Sequence, residues 1–204
     1  MDEEVMIPAN VNYTLDDTFT LEDLADRRIY IATGITDAVA AEVVYRILRY
    51  NRIDKDIDIE DRIPIIVYID TVGGDCSAGF SIIDAITMSK TPVYTVNVGK
   101  CCSAGAFIFL AGSKRYSMPS ATFLQHEGTF GVQDSFSKTI DSVEFERIQG
   151  SCHIKNYVLS RTNISEEQYN ANVRKEWYFY PTEGKEIGYV HYIVGVDCDI
   201  DEIL

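Results

Sequence analysis

The spacing of apolar positions changes between strand and helix periods along the chain and predicts alternating strands and helices. Residues 28–32 open a predicted strand that ends at Gly34, and residues 63–69 form a second apolar run. The second run has no polar alternation, which is typical of a strand covered on both faces. Between these two segments, apolar residues recur at helical spacing after Thr36 or Asp37, either of which can cap a helix. A polar insertion, 51–62, separates this helix from the second strand.

The same order of strand and helix repeats in the middle of the chain. Gly73 and Gly74 turn the second strand into a helix, and a third strand over 93–98 follows that helix. We expect the third strand to end at Gly99 and a short apolar helix to run from Ser103 to Ala111. Repeated strand and helix units predict an α/β fold with a parallel sheet and right-handed crossovers.

The last third of the chain is more polar, and turn and cap residues mark its elements. A short strand is predicted over Thr122–Gln125, and a charged helical stretch is predicted over 139–160. Gly150 inside that stretch costs about 1 kcal/mol relative to Ala and allows a kink or a break. A capping box at 165–168 opens a further helix, and a last strand is predicted over 189–194.

Composition fits one globular domain, 1–204, and argues against a nucleic-acid partner. The 204 residues are 46% hydrophobic, and no internal repeat or linker rich in Pro, Gly and Ser divides them. The formal net charge is −14. A polyanion such as DNA or RNA is therefore not an expected partner, because binding one needs clustered Lys and Arg.

The sequence gives no sign of export, of a membrane span or of a metal site. The acidic N-terminus does not resemble a secretory signal, and no apolar run approaches membrane-spanning length. The five cysteines include no CxxC pair and fit neither a disulfide framework nor a zinc site. We therefore expect a cytoplasmic protein that needs no metal or other cofactor.

The turn Gly99-Lys-Cys-Cys-Ser-Ala-Gly-Ala106 is the first candidate for chemistry. Ser103 lies where a strand ends and a helix of small residues begins, and unpaired N–H groups at a helix N-terminus can stabilise an oxyanion beside its hydroxyl. Taken alone, the turn favours a simpler interpretation, in which Ser103 only caps the helix. A nucleophile also needs a base and a second oxyanion donor, because the G-x-S-x-G pattern is absent.

A histidine and a pair of glycines can supply the missing groups. His126 follows directly on the predicted strand Thr122–Gln125, and an imidazole can take a proton near neutral pH. For His153 and His191, in the charged stretch and the last strand, surface or packing roles are expected. The segment Asp70-Thr-Val-Gly-Gly74 allows positive φ and close backbone approach, although alone it also suits an ordinary tight connection.

Taken together and in this order, these motifs resemble those of the proteolytic subunit of the Clp protease. Tyr68-Ile-Asp-Thr-Val-Gly-Gly74 is similar to the family's strand-and-glycine signature, and Phe123-Leu-Gln-His126 is similar to its histidine strand. The turn around Ser103 is similar to its nucleophile turn, and the resemblance extends over about residues 28–193.

The resemblance implies a fold, an assembly and roles for individual residues. The family fold is a crotonase-like spiral of ββα units with a protruding handle, here 128–160, and the N-terminal extension would be 1–27. Such subunits usually form two stacked seven-membered rings that enclose the active sites. By the same resemblance, Ser103 is the nucleophile, His126 is the base, and the backbone N–H groups of Gly74 and Ala104 form the oxyanion hole.

The third member of the triad departs from the family pattern. Matching 162–168 to the family's helix places Glu176 where the family has an aspartate, and glutamate can orient a histidine in some triads. Its extra methylene adds about 1.5 Å of reach, so the backbone has to lie further from the histidine. Asp134 and Asp141 are less favoured candidates for the same role.

The resemblance also implies partners. Ile66, Tyr68 and Met88 fall where related subunits form an apolar pocket for an ATPase, although core packing explains these residues equally well. Because the chain carries no nucleotide-binding motif, a separate AAA+ unfoldase would have to supply unfolded polypeptide substrates.

Two other functions stay open at the level of sequence. Glu176, together with altered ring-contact residues at 174–175, is compatible with a weak or inactive structural subunit of a mixed ring. Acyl-CoA chemistry of the crotonase type fits the same fold but leaves Ser103 and His126 unexplained. The leading hypothesis is therefore a self-compartmentalising serine endopeptidase.

Overall fold

The structure is a computed structural model that describes residues 23–128, 131 and 134–204. Most of the predicted N-terminal extension, 1–22, lies outside the described residues, and so do 129–130 and 132–133 of the predicted handle. Residues 23–25 are helical and lead into the first strand.

Strands and helices alternate through the described residues. The strands are β1 (Arg28–Ile31), β2 (Ile65–Thr71), β3 (Val93–Cys102), β4 (Lys114–Ser117), β5 (Thr122–Gln125), β6 (Trp177–Phe179) and β7 (Tyr192–Ile193). The helices are α1 (Asp37–Ile53), α2 (Cys76–Met88), α3 (Ala104–Ala111), α4 (Phe136–Phe145), α5 (Ser151–Arg161), α6 (Glu166–Asn172) and α7 (Pro181–Glu186). A π-helical turn, Glu146–Gly150, joins α4 to α5, and 3-10 turns occupy Ile59–Asp61 and Ile200–Ile203. This order confirms the predicted α/β fold class.

Polar side chains fix the starts of several helices. Thr36, rather than Asp37, caps α1 by accepting a hydrogen bond from the backbone N–H three residues later, at 3.3 Å. Asp75 caps α2 in the same way at 2.7 Å, and Ser165 caps α6 at 3.1 Å. The first and last of these caps confirm signals that are readable in the sequence.

The described strands form one sheet whose central strand changes partner along its length. β1, β2, β3, β4 and β7 lie side by side and parallel. The first half of β3 pairs with β4, but its last three residues pair with β5, so that Cys102 lies opposite Leu124. β6 then adds to β5 in the antiparallel direction. The change of partner brings the end of β3 alongside the end of β5.

The sheet is covered on both faces, as the unbroken apolar pattern of β2 predicts. Ile65, Val67 and Ile69 join a large core with α1, α2 and α3, whereas Ile66 and Tyr68 belong to a smaller cluster. All eight residues of α3 are buried. The helix that follows Ser103 is therefore held by packing on every side.

Two boundaries differ from the sequence-based expectation. β3 does not end at Gly99 but continues to Cys102, because its last residues pair with β5. A Cβ at Gly99 would lie 2.8 Å from Asp70 Oδ1, so glycine here leaves room for a neighbouring carboxylate instead of ending the strand. The insertion 51–62 begins inside α1, which ends at Ile53.

The C-terminal half contains elements that the pattern does not predict. β4, β6 and α7 are absent from the prediction, and the last strand is two residues long instead of six. The charged helical stretch begins at Phe136 and is interrupted by the π-helical turn that ends at Gly150. The sequence allows a kink or a break at this glycine; the structure has a π-helical turn that ends there, with helical backbone angles on both sides of the turn.

Candidate active site

Ser103 occupies the cap position of α3 but does not act as a cap. Its backbone has φ 53° and ψ −124°, a region that residues with a side chain rarely adopt. The N–H of Ser103 donates to the carbonyl of Leu124 at 2.9 Å, and its own carbonyl accepts from Ala106 at the same distance. The Ser103 hydroxyl makes no cap hydrogen bond. The simpler interpretation of this serine as a helix cap is therefore wrong, and its hydroxyl is available for chemistry.

The strained turn can form only because glycine stands beside it. Gly73 has φ 94°, and a Cβ there would lie 2.7 Å from the Cβ of Ser103 and 2.6 Å from the carbonyl oxygen of Cys102. Cβ atoms do not approach that closely, so a larger residue would displace the turn. Backbone strain of this kind persists only where the surroundings hold it, and it concentrates at functional sites.

The two predicted oxyanion donors directly follow the two residues that touch at this turn: Gly74 follows Gly73, and Ala104 follows Ser103. Ala104 is the first residue of α3, so its N–H has no acceptor inside the helix. Gly74 forms an isolated β-bridge with Ile35. In this bridge the Ile35 N–H donates to the Gly73 carbonyl, and the Ile35 carbonyl accepts from the Asp75 N–H. Among the described residues, the Gly74 N–H has no backbone acceptor. Within the described part of the chain neither N–H group has a hydrogen-bond acceptor, so both can donate to a substrate.

Thr71 holds the glycine turn, a role that the sequence reasoning missed. Its Oγ1 accepts a hydrogen bond from the Gly73 N–H at 3.1 Å and donates to the carbonyl of Thr33 at 2.6 Å. A threonine hydroxyl bonded two residues ahead is a recognised turn-forming arrangement. The signal lay in the order Thr-Val-Gly-Gly, which was interpreted through its glycines alone.

His126 and Glu176 are brought together by a pair of strands. β5 and β6 are antiparallel, and the last residue of β5, Gln125, lies opposite the first residue of β6, Trp177. His126, which follows β5, therefore faces Glu176, which precedes β6. His126 Nδ1 lies 2.9 Å from Glu176 Oε1. Their side chains are 24% and 58% exposed. This contact leaves Nε2 as the histidine nitrogen that can take a proton from a serine.

The serine and the histidine are neighbours without a direct bond. The backbone N–H of Ser103 donates to the carbonyl of Leu124 on β5, and His126 is the residue that directly follows this strand. Between these two described residues, no hydrogen bond joins the Ser103 hydroxyl to the imidazole. Catalytic hydrogen bonds are often long in unliganded enzymes and shorten when substrate binds.

The two cysteines that precede Ser103 are poor nucleophiles. Burial, with the charge of Asp70 adding to it, raises the pKa of the Cys102 thiol, although Lys100 acts in the opposite direction. Burial raises the pKa of Cys101 well above its ordinary value. The thiolate is the reactive form of cysteine, so neither thiol is suited to attack at neutral pH. Ser103 is the available nucleophile in this turn.

The remaining histidines and acids are not brought to this place. His153 is exposed and packs against Phe80, with 4.7 Å between ring centroids. His191 precedes β7 and bonds through its backbone to Arg115. Asp134 is exposed and lies 3.6 Å from Lys138 Nζ, and Asp141 is exposed on α4. Of the candidate acids, Glu176 is the one that contacts His126.

The three predicted docking residues have different environments. Met88 is 79% exposed, but Ile66 and Tyr68 are 7% and 6% exposed. Both belong to the smaller cluster, which also contains Ile203, and the Tyr68 hydroxyl donates to the Ile203 carbonyl. Two of the three residues therefore pack with the C-terminal 3-10 turn, which agrees with the alternative that they serve core packing.

The described part of the chain contains no cluster of three His, Cys, Asp or Glu residues that could hold a metal ion. None of the described helices combines the length and the apolar character that a membrane crossing requires.

Comparisons with known proteins agree with the geometry. The family model for Clp protease matches residues 16–197. The chain is 29% identical over 190 residues to ATP-dependent Clp protease proteolytic subunit 2 of Treponema denticola, covering 92% of this chain and 91% of that protein. It is 26% identical over 193 residues to the subunit of the same name from Nocardia farcinica, covering 93% and 91%.

A solved structure extends the likeness to three dimensions. A mutant of ClpP1 from Listeria monocytogenes superposes with a TM-score of 0.73 at 26% identity, over 91% of this chain and 99% of that one. The agreement confirms the crotonase-like fold of Clp proteolytic subunits. The chain belongs to the Clp protease family.

Proposed function

We propose that this chain is a serine endopeptidase that cleaves unfolded polypeptides through an acyl-enzyme on Ser103. The observation that carries the proposal is the strained turn of Ser103, whose hydroxyl caps nothing, beside the strand that leads to His126. The 2.9 Å contact between His126 and Glu176 supports the same conclusion, because it orients the imidazole for proton transfer.

Each site residue has one task in the proposed reaction. His126 Nε2 takes the proton of the Ser103 hydroxyl as its oxygen attacks the scissile carbonyl carbon. The N–H groups of Gly74 and Ala104 stabilise the oxyanion that forms. His126 then gives the proton to the leaving amine, and a water molecule activated by the same imidazole hydrolyses the ester. Glu176 stabilises the imidazolium.

The family suggests the assembly in which this chemistry occurs. We propose two stacked seven-membered rings, fed by an AAA+ ATPase that unfolds the substrates. The exposed apolar residues Phe136, Ile140 and Phe145 on α4 support a ring contact through the handle. Docking of the ATPase at Ile66 and Tyr68 would require displacement of Ile203. All five cysteines are free, which supports action in a reducing cytoplasm.

Peptide hydrolysis by Ser103→Ala tests the proposal. We expect kcat to fall on the order of 10⁶-fold, the scale for removal of a serine nucleophile. The matched control is Ser120→Ala, which removes an exposed hydroxyl on the same chain and is expected to keep full activity. Equal turnover by the wild type and Ser103→Ala would rule the mechanism out.

A second candidate function is a structural subunit of a mixed ring that has little activity of its own. The absent hydrogen bond between Ser103 and His126, both described residues, fits this function as well as it fits an unliganded enzyme, because a site that only a partner subunit completes would lack the same bond. Peptidase assays on the chain alone, and mixed with an active paralogue, separate the two. Activity of the purified chain that depends on Ser103 would exclude the structural role.

A further inference from the structure

A buried arginine outside the candidate active site has no acidic partner among the described residues. Arg115 on β4 is 5% exposed, and within the described part of the chain it donates to three backbone carbonyls: from Nε to Tyr189 at 2.7 Å, and from Nη2 to Gly188 and Arg161 at 2.8 and 3.1 Å. Its other terminal nitrogen, Nη1, makes no hydrogen bond with the described residues. A buried charge is normally paired, so this guanidinium has the capacity to bind an anion.

A cavity of about 410 Å³ opens beside this guanidinium. Its walls include Arg115, Arg161, Asn163 and His191, and no carboxylate lines it. Arg161 is half-buried, with its guanidinium 5.9 Å from the ring centroid of Tyr157, and no ion pair joins it to a described acidic residue. In a chain with a net charge of −14, two arginines among the lining residues of one cavity, with no acidic residue beside them, are a local concentration of positive charge.

The protonation states at this place are defined at neutral pH. Burial and the nearby charge of Arg161 lower the pKa of Arg115 to about 10, so the group stays charged. Burial and the charge of Arg115 lower the pKa of His191 to about 4, so the ring is neutral and offers one N–H donor. The Asn163 amide adds two more donors at the mouth.

We propose that this cavity binds a phosphate dianion, either free or as the head of a small phosphate monoester. Two guanidinium groups can neutralise two negative charges, and the planar fork of an arginine matches the oxygens of a phosphate. A carboxylate would neutralise only one of the two. The cavity is wide open to solvent and larger than a bare phosphate, which leaves room for an ester group to extend outward.

The C-terminal end of α5 lies at the same cavity and contributes partial negative charge from its last carbonyls. Arg115 already covers one of these, the carbonyl of Arg161. Of the lining residues, Arg115 and Arg161 are cationic and none is acidic, so the formal charges around the cavity favour an anion. None of the walls belongs to the proposed catalytic residues, and binding is therefore separable from hydrolysis.

Titration calorimetry with inorganic phosphate, at matched ionic strength in chloride, tests the proposal on the full chain. We expect saturable binding and a rise in the unfolding temperature with phosphate. Arg161→Gln should weaken binding at least tenfold, and this variant keeps the buried Arg115 intact. Arg49→Gln, which removes an exposed arginine on α1, should bind as the wild type does. His191→Gln should have a smaller effect, because it removes one neutral donor.

Parallel titrations distinguish the sources of the ligand. Tighter binding of glycerol 3-phosphate than of phosphate would identify a monoester site, and equal binding would identify a site for the free anion. Acetate should bind more weakly than either. Absence of saturable phosphate binding by the wild type, or equal binding by wild type and Arg161→Gln, would overturn the proposal.

Discussion

The two sides of the proposed active site are built in opposite ways. Ser103 is held by the backbone: its N–H and carbonyl are both bonded, Gly73 fits against its Cβ, and the helix behind it is completely buried. Glu176 is held by little more than one contact, since its side chain is 58% exposed and precedes a strand of three residues. His126 lies between these two extremes.

The difference indicates where each side tolerates change. A position that backbone and packing determine allows no adjustment, so a single added methyl group is expected to displace the nucleophile. A position determined by one exposed charge contact can adapt, because surface ion pairs contribute only about 0–1 kcal/mol and cost little to rearrange. The same adaptability is expected to accommodate Glu176 at the position where the resemblance to the family places an aspartate.

Gly73→Ala should sharpen the comparison most. The new Cβ would contact the Cβ of Ser103 and the carbonyl of Cys102, and alanine does not favour φ 94°. A displacement of about 1 Å at a reacting group can lower activity about 100-fold, so we expect at least that loss in kcat/KM. Gly34→Ala is the control, because its Cβ would lie an ordinary 3.6 Å from the nearest described atom. Equal effects of the two substitutions would contradict the rigid nucleophile side.

Substitution of Glu176 tests the adaptable side. Glu176→Gln removes the charge that orients His126 and should lower kcat by about 10² to 10⁴-fold. Glu176→Asp keeps the charge but shortens the reach, and we expect it to retain more activity because the exposed backbone there can move. Thermal unfolding should change little in either variant. If aspartate is as damaging as glutamine, the acid side is as rigid as the nucleophile side.

The smallest expected effect is on stability in acid. Measuring the unfolding temperature as a function of pH separates loss of the fold from loss of activity. The pKa of His191 is lowered to about 4 by burial and by Arg115, whereas an unfolded histidine titrates near 6.5. The unfolded state therefore binds more protons, and the stability that His191 contributes above pH 6.5 is lost as the pH falls toward 4. In His191→Gln, the unfolding temperature should depend less on pH over this range than it does in the wild type. The same pH dependence in both proteins would show that other groups govern stability in acid.

The fold was predictable wherever the local spacing of apolar and polar residues reflects which residues are buried. β2 and β5 were predicted because their apolar runs are buried on both faces or end at clear turns. β4 was not, since its sequence Lys-Arg-Tyr-Ser is polar and becomes a strand through pairing with β3 and β7. β6 is three residues long and, among the described strands, pairs with β5 alone, so its formation depends on tertiary contact.

The site was predictable as a set of residues but not as a geometry. The order of motifs singles out Ser103, His126 and Glu176, and their catalytic roles stay predictions. The sequence contains no sign that Ser103 would have a positive φ, because that strain comes from Gly73 and from the bond to Leu124. The contact between His126 and Glu176 depends on the unpredicted β6.

Labelling with a fluorophosphonate probe, read by intact mass, tests the central claim that Ser103 is an activated nucleophile. We predict one adduct per wild-type chain and none on Ser103→Ala, with Ser120→Ala labelled as the wild type is. Undiminished labelling of Ser103→Ala would contradict the claim.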